Sequence, residues 1–347
     1  MKSNPGNFFE DFRLGQTLNH ATPRTLTRGD AALYQALHGS RFALQASDAF
    51  ARALGLPHAP LDDLLVFHTV FGKSVPDISL NAVANLGYAE GRFLKPVFAG
   101  ATLSASSEVI GLKENSNRET GVVYVRTTGT DETGDAVLSY VRWVMVRKRD
   151  KDARVAKPMV PKLAQAVEVS ALVARDADFA GFDRAASGSA QAFEDYEPGE
   201  KIDHADGMTV EEAEHMMAAR LYQNTARVHF NQFSEGKGRF GRRLVYGGHV
   251  ISVARALSFN GLANAVSIAA INAGRHVNPL FAGDTVFAWS QVLDKAPLRK
   301  DAGALRLRLV ATKDCPCAEF PDKDASGKYP DSVILDFDYW ALMPRRA

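Results

Sequence analysis

The sequence predicts an α+β fold with two tandem copies of one domain, each an antiparallel sheet wrapped around a central helix. Three observations lead to this expectation: the chain has 347 residues, its second half repeats its first, and each half has apolar helical segments followed by alternating strands. A chain of this length suits two domains, each large enough to bury its own core.

The repeat is visible at two places in each half. Phe9 to Phe12 (Phe-Glu-Asp-Phe) recurs in the second half as Phe193 to Tyr196 (Phe-Glu-Asp-Tyr). The run from Arg92 to Thr102 shares its Arg, Pro, Phe, Ala, Gly and Thr with the run from Arg275 to Thr285, at nearly the same offset along the chain. A period of this length indicates a duplicated domain rather than a solenoid, whose repeats are about 20–50 residues long.

The two copies are predicted to occupy residues 1–150 and 191–347, joined by a linker over residues 151–190. A charged run from Arg147 to Asp152 ends the first copy, and the stretch that follows is rich in Ala, Asp and Lys and contains Pro158 and Pro161. Such a composition is typical of a connector between domains.

Each copy has the same predicted order of elements. An extended segment leads into an apolar helix, at Ala31 to Leu37 or Val210 to Leu221. After a polar loop a second apolar helix follows, at Leu61 to Val75 or Val250 to Leu262. Three strands are then expected to close each copy.

The last two predicted strands alternate clearly between apolar and charged residues. Leucines alternate with Arg306 and Arg308 over residues 305–309, and apolar side chains alternate with Asp336 and Asp338 over residues 333–339. This pattern is typical of antiparallel strands with one face toward water. A helix wrapped by such a sheet is the hotdog arrangement, and two copies would remove exposed edges by pairing their sheets edge to edge.

The composition favours a small-molecule partner. Forty-one basic and forty acidic side chains leave a net charge of +1, so no global field would draw the chain to nucleic acid or to an anionic membrane. No stretch reaches the roughly 18 consecutive apolar residues of a membrane helix, and residues 1–19 lack the apolar run of a signal peptide. We therefore expect a cytoplasmic protein. Cys315 and Cys317 are expected to be solvated thiols, with neither a disulfide nor a metal ion.

The loop before the second helix differs between the copies. Copy one reads Leu-His-Gly-Ser-Arg-Phe-Ala-Leu-Gln and ends at Gln45, whereas copy two reads Leu-Tyr-Gln-Asn-Thr-Ala-Arg-Val-His and ends at His229. An isolated histidine is more often structural than catalytic. Here, however, only the imidazole of His229 titrates near neutral pH, since a glutamine amide cannot move a proton. The comparison predicts that copy two is catalytic and that copy one is structural or binds substrate.

This segment resembles the MaoC-like, hydratase-2 family, whose motif is an Asp, four residues and a His on a loop before the hotdog helix. Asn224 and His229 match that spacing, with Asn in place of Asp, and residues 245–250 fall where the family has a glycine at the start of its central helix. The likeness covers nearly the whole chain and is closest over Leu221 to Asp294. There it points to the branch of the family that acts on mesaconyl-CoA (2-methylfumaryl-CoA). The resemblance implies a homodimeric hydro-lyase of acyl-CoA thioesters that uses no metal or redox cofactor.

Hydration of a double bond conjugated to a thioester needs an acid/base group and donors for the charge on the thioester oxygen. His229 is the expected acid/base, and Asn224 is expected to orient the water or the imidazole. The backbone N–H groups of Gly248 and His249 are expected to form the oxyanion site, because the first N–H groups of a helix lack internal partners. Gly247 would let substrate approach the backbone closely.

Several of these residues have alternative roles. Arg242 and Arg243 occur only in copy two and are expected to bind CoA phosphate or a dicarboxylic acyl group, but they also suit a solvated loop. His249 also suits a second acid/base or a contact to the substrate carboxylate. Asn224 also suits a purely local turn, since Asn often bonds its own backbone.

The expected function is the reversible hydration of mesaconyl-CoA to β-methylmalyl-CoA, with CoA in a groove between the copies. Three alternatives stay open at this point: a hydratase of straight-chain enoyl-CoA, a hotdog thioesterase, and an acyl-CoA-binding module without catalysis. The thioesterase has little support, because no carboxylate is evident in the sequence near His229. The replacement of Asp by Asn224 is the main support for the binding module.

Overall fold

The structure of the chain is a computed structural model that describes residues 2–153, 157–174 and 177–346. The α-helices are α1 Arg28–His38, α2 Ala43–Ala46, α3 Asp48–Ala53, α4 Asp63–Ser74, α5 Arg184–Ser187, α6 Glu212–Leu221, α7 Gln232–Glu235, α8 Gly247–Leu257 and α9 Phe259–Leu262. Within these ranges no helix is long and apolar enough to cross a membrane.

The strands form one antiparallel sheet. They are β1 Thr17–Thr25, β2 Ala82–Phe93, β3 Thr102–Glu114, β4 Thr120–Thr130, β5 Ala136–Arg147, β6 Lys201–Asp203, β7 Met208–Thr209, β8 Ser267–His276, β9 Thr285–Pro297, β10 Ala302–Lys313 and β11 Val333–Pro344. Their order across the sheet is β1-β3-β4-β5-β2-β8-β11-β10-β9-β6, and β7 pairs with β9.

The junction between the two copies lies at the β2–β8 pair. Tyr88 on β2 stands opposite Gly274 on β8, and Gly91 stands opposite Ile271. The strands on one side of this pair wrap α4, all of whose residues are buried, and those on the other side wrap α8. This is the double-hotdog arrangement that the sequence predicts, with the sheets joined edge to edge as expected.

The duplication extends to buried hydrogen bonds. His20 Nε2 lies 2.7 Å from the hydroxyl of Ser107, and His204 Nε2 lies 2.9 Å from the hydroxyl of Ser290. The two histidines occupy equivalent positions in the repeat, as do the two serines, so the same contact is present in both copies. The prediction of a duplicated domain is confirmed.

The predicted helices are present, with two starts set by caps. The prediction of one helix from Val250 to Leu262 is wrong, since α8 runs over Gly247–Leu257 and the separate short α9 follows it.

The first helix begins earlier than predicted, at Arg28, because the Thr27 side chain accepts a hydrogen bond from the Asp30 N–H while the Asp30 carboxylate accepts one from the Thr27 N–H. The central helix α4 begins after Asp62, whose carboxylate accepts a hydrogen bond of 2.9 Å from the Leu64 N–H.

The prediction of three strands after each central helix is wrong, since four follow it in each copy. The strands at the junction, β2 and β8, lack the alternation on which the prediction relied. In β8 all the residues from Ser267 to Asn272 are buried, because this strand is paired on both sides and covered by both halves.

Between Arg147, at the end of β5, and Lys201, at the start of β6, the described residues form only short helical turns and an isolated bridge from Met159 to Leu112. The domain boundaries at residues 150 and 191 stay a prediction.

Candidate active site

His229 ends a 3-10 turn, Arg227–His229, in the loop that follows α6. Its Nδ1 lies 2.9 Å from the carbonyl oxygen of Leu244. A carbonyl can only accept, so Nδ1 carries the proton and Nε2 keeps its lone pair. No hydrogen-bond partner of Nε2 is found in the described part of the chain. Burial lowers the pKa of His229 to about 4, so the expectation that this ring titrates near neutral pH is wrong. The ring is neutral at neutral pH, and its Nε2 lone pair is free to accept a proton.

Asn224 is 5 % exposed, and its side chain shapes the loop that carries His229. Its Oδ1 accepts a hydrogen bond of 2.9 Å from the Ala226 N–H, which is the local turn that Asn commonly forms. The Nδ2 group has no acceptor among the described residues. The free polar group at this position is therefore a donor, which a carboxylate could not supply.

Two glycines begin α8 because ring side chains crowd the start of this helix. A Cβ atom at Gly247 would lie 2.4 Å from the ring of His276, and one at Gly248 would lie 2.3 Å from the Tyr246 ring and 2.6 Å from the His68 ring. No acceptor for the N–H of Gly247 or Gly248 is present among the described residues, whereas the N–H of His249 donates to the Tyr246 carbonyl oxygen at 2.9 Å. The free donors at this helix start are thus the two glycine N–H groups.

The His249 side chain points into the protein interior. It is 1 % exposed, its ring centroid lies 4.9 Å from that of His38 in copy one, and burial holds its pKa well below 6.5. Its Nδ1 is buried without a partner among the described residues. The predicted oxyanion role of its N–H stays a prediction, and that N–H is engaged with Tyr246 in this structure.

The two predicted substrate-binding arginines have different surroundings. Arg242 is exposed and stacks on the Phe281 ring, with its guanidinium carbon 4.0 Å from the ring centroid. Arg243 forms an ion pair with Glu212 and contacts the Met216 sulfur at 2.8 Å. Of these two arginines, Arg242 is the one whose guanidinium has no carboxylate partner in the described part of the chain.

Sequence reasoning did not assign a site role to His276, which lies in the same cluster as His229. Burial, together with the charge of His229, lowers the pKa of His276 to about 4. Copy one has Phe93 at the equivalent position. The comparison of copies that identified His229 would have identified His276 as well.

Copy one also contributes two polar rings to this cluster. The hydroxyl of Tyr88 lies 3.3 Å from Nε2 of His276, and Nδ1 of His68 lies 3.4 Å from the hydroxyl of Tyr246. The Tyr246 ring in turn packs against His229 with a centroid distance of 5.3 Å. The site of copy two is therefore built by both halves of the chain.

A cavity of about 420 Å³ opens between the two halves beside Asn224. We call it the interdomain cavity. It is lined by Ala21, Thr22, Gly72, Lys73 and Pro76 of copy one and by Met216, Ala219, Arg220, Gln223, Asn224, Thr225 and Phe230 of copy two. Asn224 and Phe230, which directly follows His229 in the chain, bring the loop of the predicted acid/base to the cavity wall, although His229 itself is not among the lining residues.

In copy one the position equivalent to His229 is occupied by Gln45, whose side chain connects the two halves. Its Nε2 donates to the Val266 carbonyl oxygen at 2.8 Å. This contact supports the prediction that copy one has a structural role at this position.

The described residues include no group of three or more His, Cys, Asp or Glu side chains placed to hold a metal ion. Both cysteines have free thiols. The expectation that both are solvated is wrong for Cys317, which is 2 % exposed and packs with Trp289, Val310 and Val333. Burial raises the pKa of the Cys317 thiol to about 11, so this thiol is unreactive at neutral pH.

Comparison with known proteins identifies the family. A family model described as mesaconyl-CoA hydratase matches residues 2–164. The β-methylmalyl-CoA dehydratase of Chloroflexus aurantiacus is 63% identical to this chain, over 99% of both proteins.

Two solved structures support the same assignment. A MaoC domain protein from Chloroflexus aurantiacus superposes with a TM-score of 0.98 at 62% identity, covering 100% of both chains. A Mycobacterium tuberculosis protein described as having a double hotdog fold superposes with a TM-score of 0.75 at 27% identity, covering 97% of this chain and 98% of its own. The identity and the shared fold extend over the whole length, so the chain belongs to the mesaconyl-CoA hydratase (β-methylmalyl-CoA dehydratase) family of MaoC-like, double-hotdog hydro-lyases.

Proposed function

We propose that this protein catalyses the reversible hydration of mesaconyl-CoA to β-methylmalyl-CoA in the site built around His229. The names of the matched family and of its 63% identical relative support this substrate. The observation that carries the proposal is the state of His229. Its Nδ1–H is fixed on the Leu244 carbonyl, which leaves the Nε2 lone pair free on a neutral ring that packs against Tyr246, the residue before α8.

In the forward direction, Nε2 of His229 removes a proton from water as the water oxygen bonds to C3 of the acyl group. The electron pair of the C2=C3 bond moves toward the thioester, and the negative charge collects on the thioester oxygen. The imidazolium then returns the proton to C2, so one water molecule is added in total. Dehydration follows the same steps in reverse, with His229 exchanging its base and acid roles.

The charge on the thioester oxygen needs fixed donors, which are most effective where they are already oriented. The N–H groups of Gly247 and Gly248 fill this role in the proposal, because neither has an acceptor in the described chain. The helix dipole of α8 adds partial positive charge at the same end. The His249 N–H would join them only by exchanging its bond to Tyr246.

Asn224 and Arg242 have supporting roles in the proposal. The free Nδ2 group of Asn224 orients the attacking water by donating to its oxygen, while Oδ1 keeps the loop in shape. Arg242 is exposed and unpaired with any described carboxylate, which suits a contact to the CoA phosphates. Arg243, already paired with Glu212, would contact substrate only after releasing that partner.

The test is to incubate the purified protein with mesaconyl-CoA and to follow both the absorbance of the conjugated thioester and free thiol. Loss of absorbance without thiol release is the expected result and indicates hydration. Thiol release would instead indicate a thioesterase, and binding without either change would indicate a non-catalytic module. A larger kcat/KM for crotonyl-CoA than for mesaconyl-CoA would favour a straight-chain hydratase.

We further propose that the protein acts in the cytoplasm as a homodimer, as the family resemblance implies. Light scattering after size-exclusion chromatography measures the mass directly. A mass equal to that of the 37.7 kDa chain alone would contradict the dimer.

A further inference from the structure

A buried cation lies in the wall of the interdomain cavity. Lys73, near the end of α4, is 3 % exposed, and its Nζ contacts the carbonyl oxygen of Thr22. No carboxylate pairs with this ammonium in the described part of the chain. An ammonium partly withdrawn from water is unfavourable unless it is paired or well hydrogen-bonded, so an anion bound in the cavity would stabilise Lys73.

The duplicated helix shows that the fold does not require this charge. The central helices α4 and α8 align with Ser74 matched to Ser258, and both serines donate their hydroxyl hydrogen to the carbonyl three residues earlier. At the position of Lys73, α8 has Leu257, which is buried in the core. Packing at this position is therefore satisfied by an apolar side chain, and the ammonium of copy one needs another explanation.

The position of Lys73 relates it to the catalytic loop. A Cβ atom at Gly72, the preceding residue, would lie 1.8 Å from the Tyr222 carbonyl oxygen and 3.4 Å from the Asn224 nitrogen. The end of α4 thus lies directly on the backbone of the loop that carries Asn224 and His229. Lys73 and Asn224 line the same cavity.

The charge around this cavity is positive. Arg220 also lines it, and no acidic side chain appears among the described residues of its wall. The nearby Arg24 is compensated by its ion pair with Asp30. Burial and the charge of Arg24 lower the pKa of Lys73 to about 8, so its amine is still mostly protonated at neutral pH.

The chemistry of the proposed substrate places an anion at this position. In mesaconyl-CoA the free carboxylate is bonded to C3, the carbon that receives water. Whatever binds the carboxylate must therefore lie next to the groups that hold the water, among them Asn224. We propose that Lys73 binds the free carboxylate of the acyl group and thereby selects dicarboxylic over monocarboxylic acyl-CoA thioesters. This inference rests on the proposed function.

The test compares the binding of two saturated analogues that the enzyme cannot hydrate, 2-methylsuccinyl-CoA and 2-methylbutyryl-CoA, which differ by carboxylate against methyl. We expect the wild type to prefer the dicarboxylic analogue. Lys73→Leu introduces the residue that copy two has at this position, Leu257, and should weaken the binding of the dicarboxylic analogue by about 10–100-fold, the scale of a charge-assisted hydrogen bond. It should change binding of the other analogue less than about threefold, and Lys73→Arg should retain much of the preference.

Two results would overturn the assignment. The first is that the preference for the dicarboxylic analogue survives in Lys73→Leu; its loss in the control Arg220→Leu would then place the carboxylate on Arg220. The second is that Lys73→Leu weakens the binding of both analogues equally, while the binding of the corresponding pantetheine thioesters, which lack the CoA nucleotide, is unchanged. That result would mean that Lys73 binds a CoA phosphate. If Lys73→Leu does not fold, Lys73→Met gives the same comparison.

Binding is measured without turnover, so the two proposals can fail separately. A wild type that does not hydrate mesaconyl-CoA refutes the proposed function. A preference for the dicarboxylic analogue that does not depend on Lys73 refutes only the proposal that Lys73 binds the substrate carboxylate.

Discussion

Replacing His229 by glutamine tests the asymmetry between the copies, because glutamine is the residue that copy one carries at this position. The glutamine amide can still donate to the Leu244 carbonyl, as Gln45 donates to the Val266 carbonyl in copy one. One hydrogen bond is worth about 1 kcal/mol, so the fold should be kept and the melting temperature should change by only a few degrees. What is lost is the Nε2 lone pair, which no amide replaces.

The expected loss in kcat is about 10²–10⁴-fold, the usual range for a positioned acid/base. At about 1.36 kcal/mol per tenfold change in rate, this is about 3–5 kcal/mol of transition-state stabilisation. The KM for mesaconyl-CoA should change little, because the binding groups stay in place. Residual turnover is expected from the donors at Gly247 and Gly248, which do not depend on the imidazole.

The assay is the steady-state hydration of mesaconyl-CoA by His229→Gln, with Gln45→Ala as the matched control in the other copy. The control should keep kcat within about threefold, although it loses the contact to Val266. A folded His229→Gln enzyme with normal kcat would refute the reasoning. A large loss of kcat in Gln45→Ala together with a normal kcat in His229→Gln would mean that the catalytic role has been assigned to the wrong copy.

Three further predictions concern the surroundings of His229. Gly248→Ala would place a Cβ atom 2.6 Å from the ring of His68 and should cost about 1–3 kcal/mol of stability and most of the activity. Gly29→Ala, also at the second residue of its helix, meets nothing closer than 3.4 Å and should be tolerated in the same thermal melts. Asn224→Asp keeps an acceptor for the Ala226 N–H but loses the Nδ2 donor, so we expect kcat to fall about tenfold with an unchanged melting temperature; full activity would exclude the donor role. Burial lowers the pKa of His68 from 6.5 to about 3, so the unfolded chain takes up this proton first. The stability that the neutral His68 ring contributes is complete above about pH 6.5 and is lost as the pH falls toward about 3, at about 1.4 kcal/mol per pH unit. His68→Ser, the residue of copy two at this position, should reduce the pH dependence of urea unfolding by about one proton between about pH 4.5 and 6, and an unchanged slope would contradict the assignment.

The sequence alone determined the duplication, the order of the two main helices in each copy and the asymmetry between Gln45 and His229. These features depend on short-range patterns: helical and strand periodicity follow from local backbone geometry, and the repeat makes the two loops directly comparable. The same comparison also distinguishes His276 from Phe93, the residue at the equivalent position of copy one.

The strands at the centre of the sheet were harder to predict. Alternation is visible only where one face of a strand meets water, as in β10 and β11. At the junction both faces of β8 are covered over residues 267–272, so this part of the strand carries no period of two. This is the physical reason why the prediction missed the fourth strand of copy two.

Only the tertiary structure decided which side chains share the site. Tyr88 and His276 lie far apart along the chain and meet because β2 pairs with β8. Lys73 reaches the cavity beside Asn224 because Gly72 lets α4 lie against the backbone of the loop that carries Asn224 and His229. Periodicity and motif spacing describe contacts within a few residues, whereas these contacts depend on how two folded halves dock, which is set by long-range packing that no local pattern encodes.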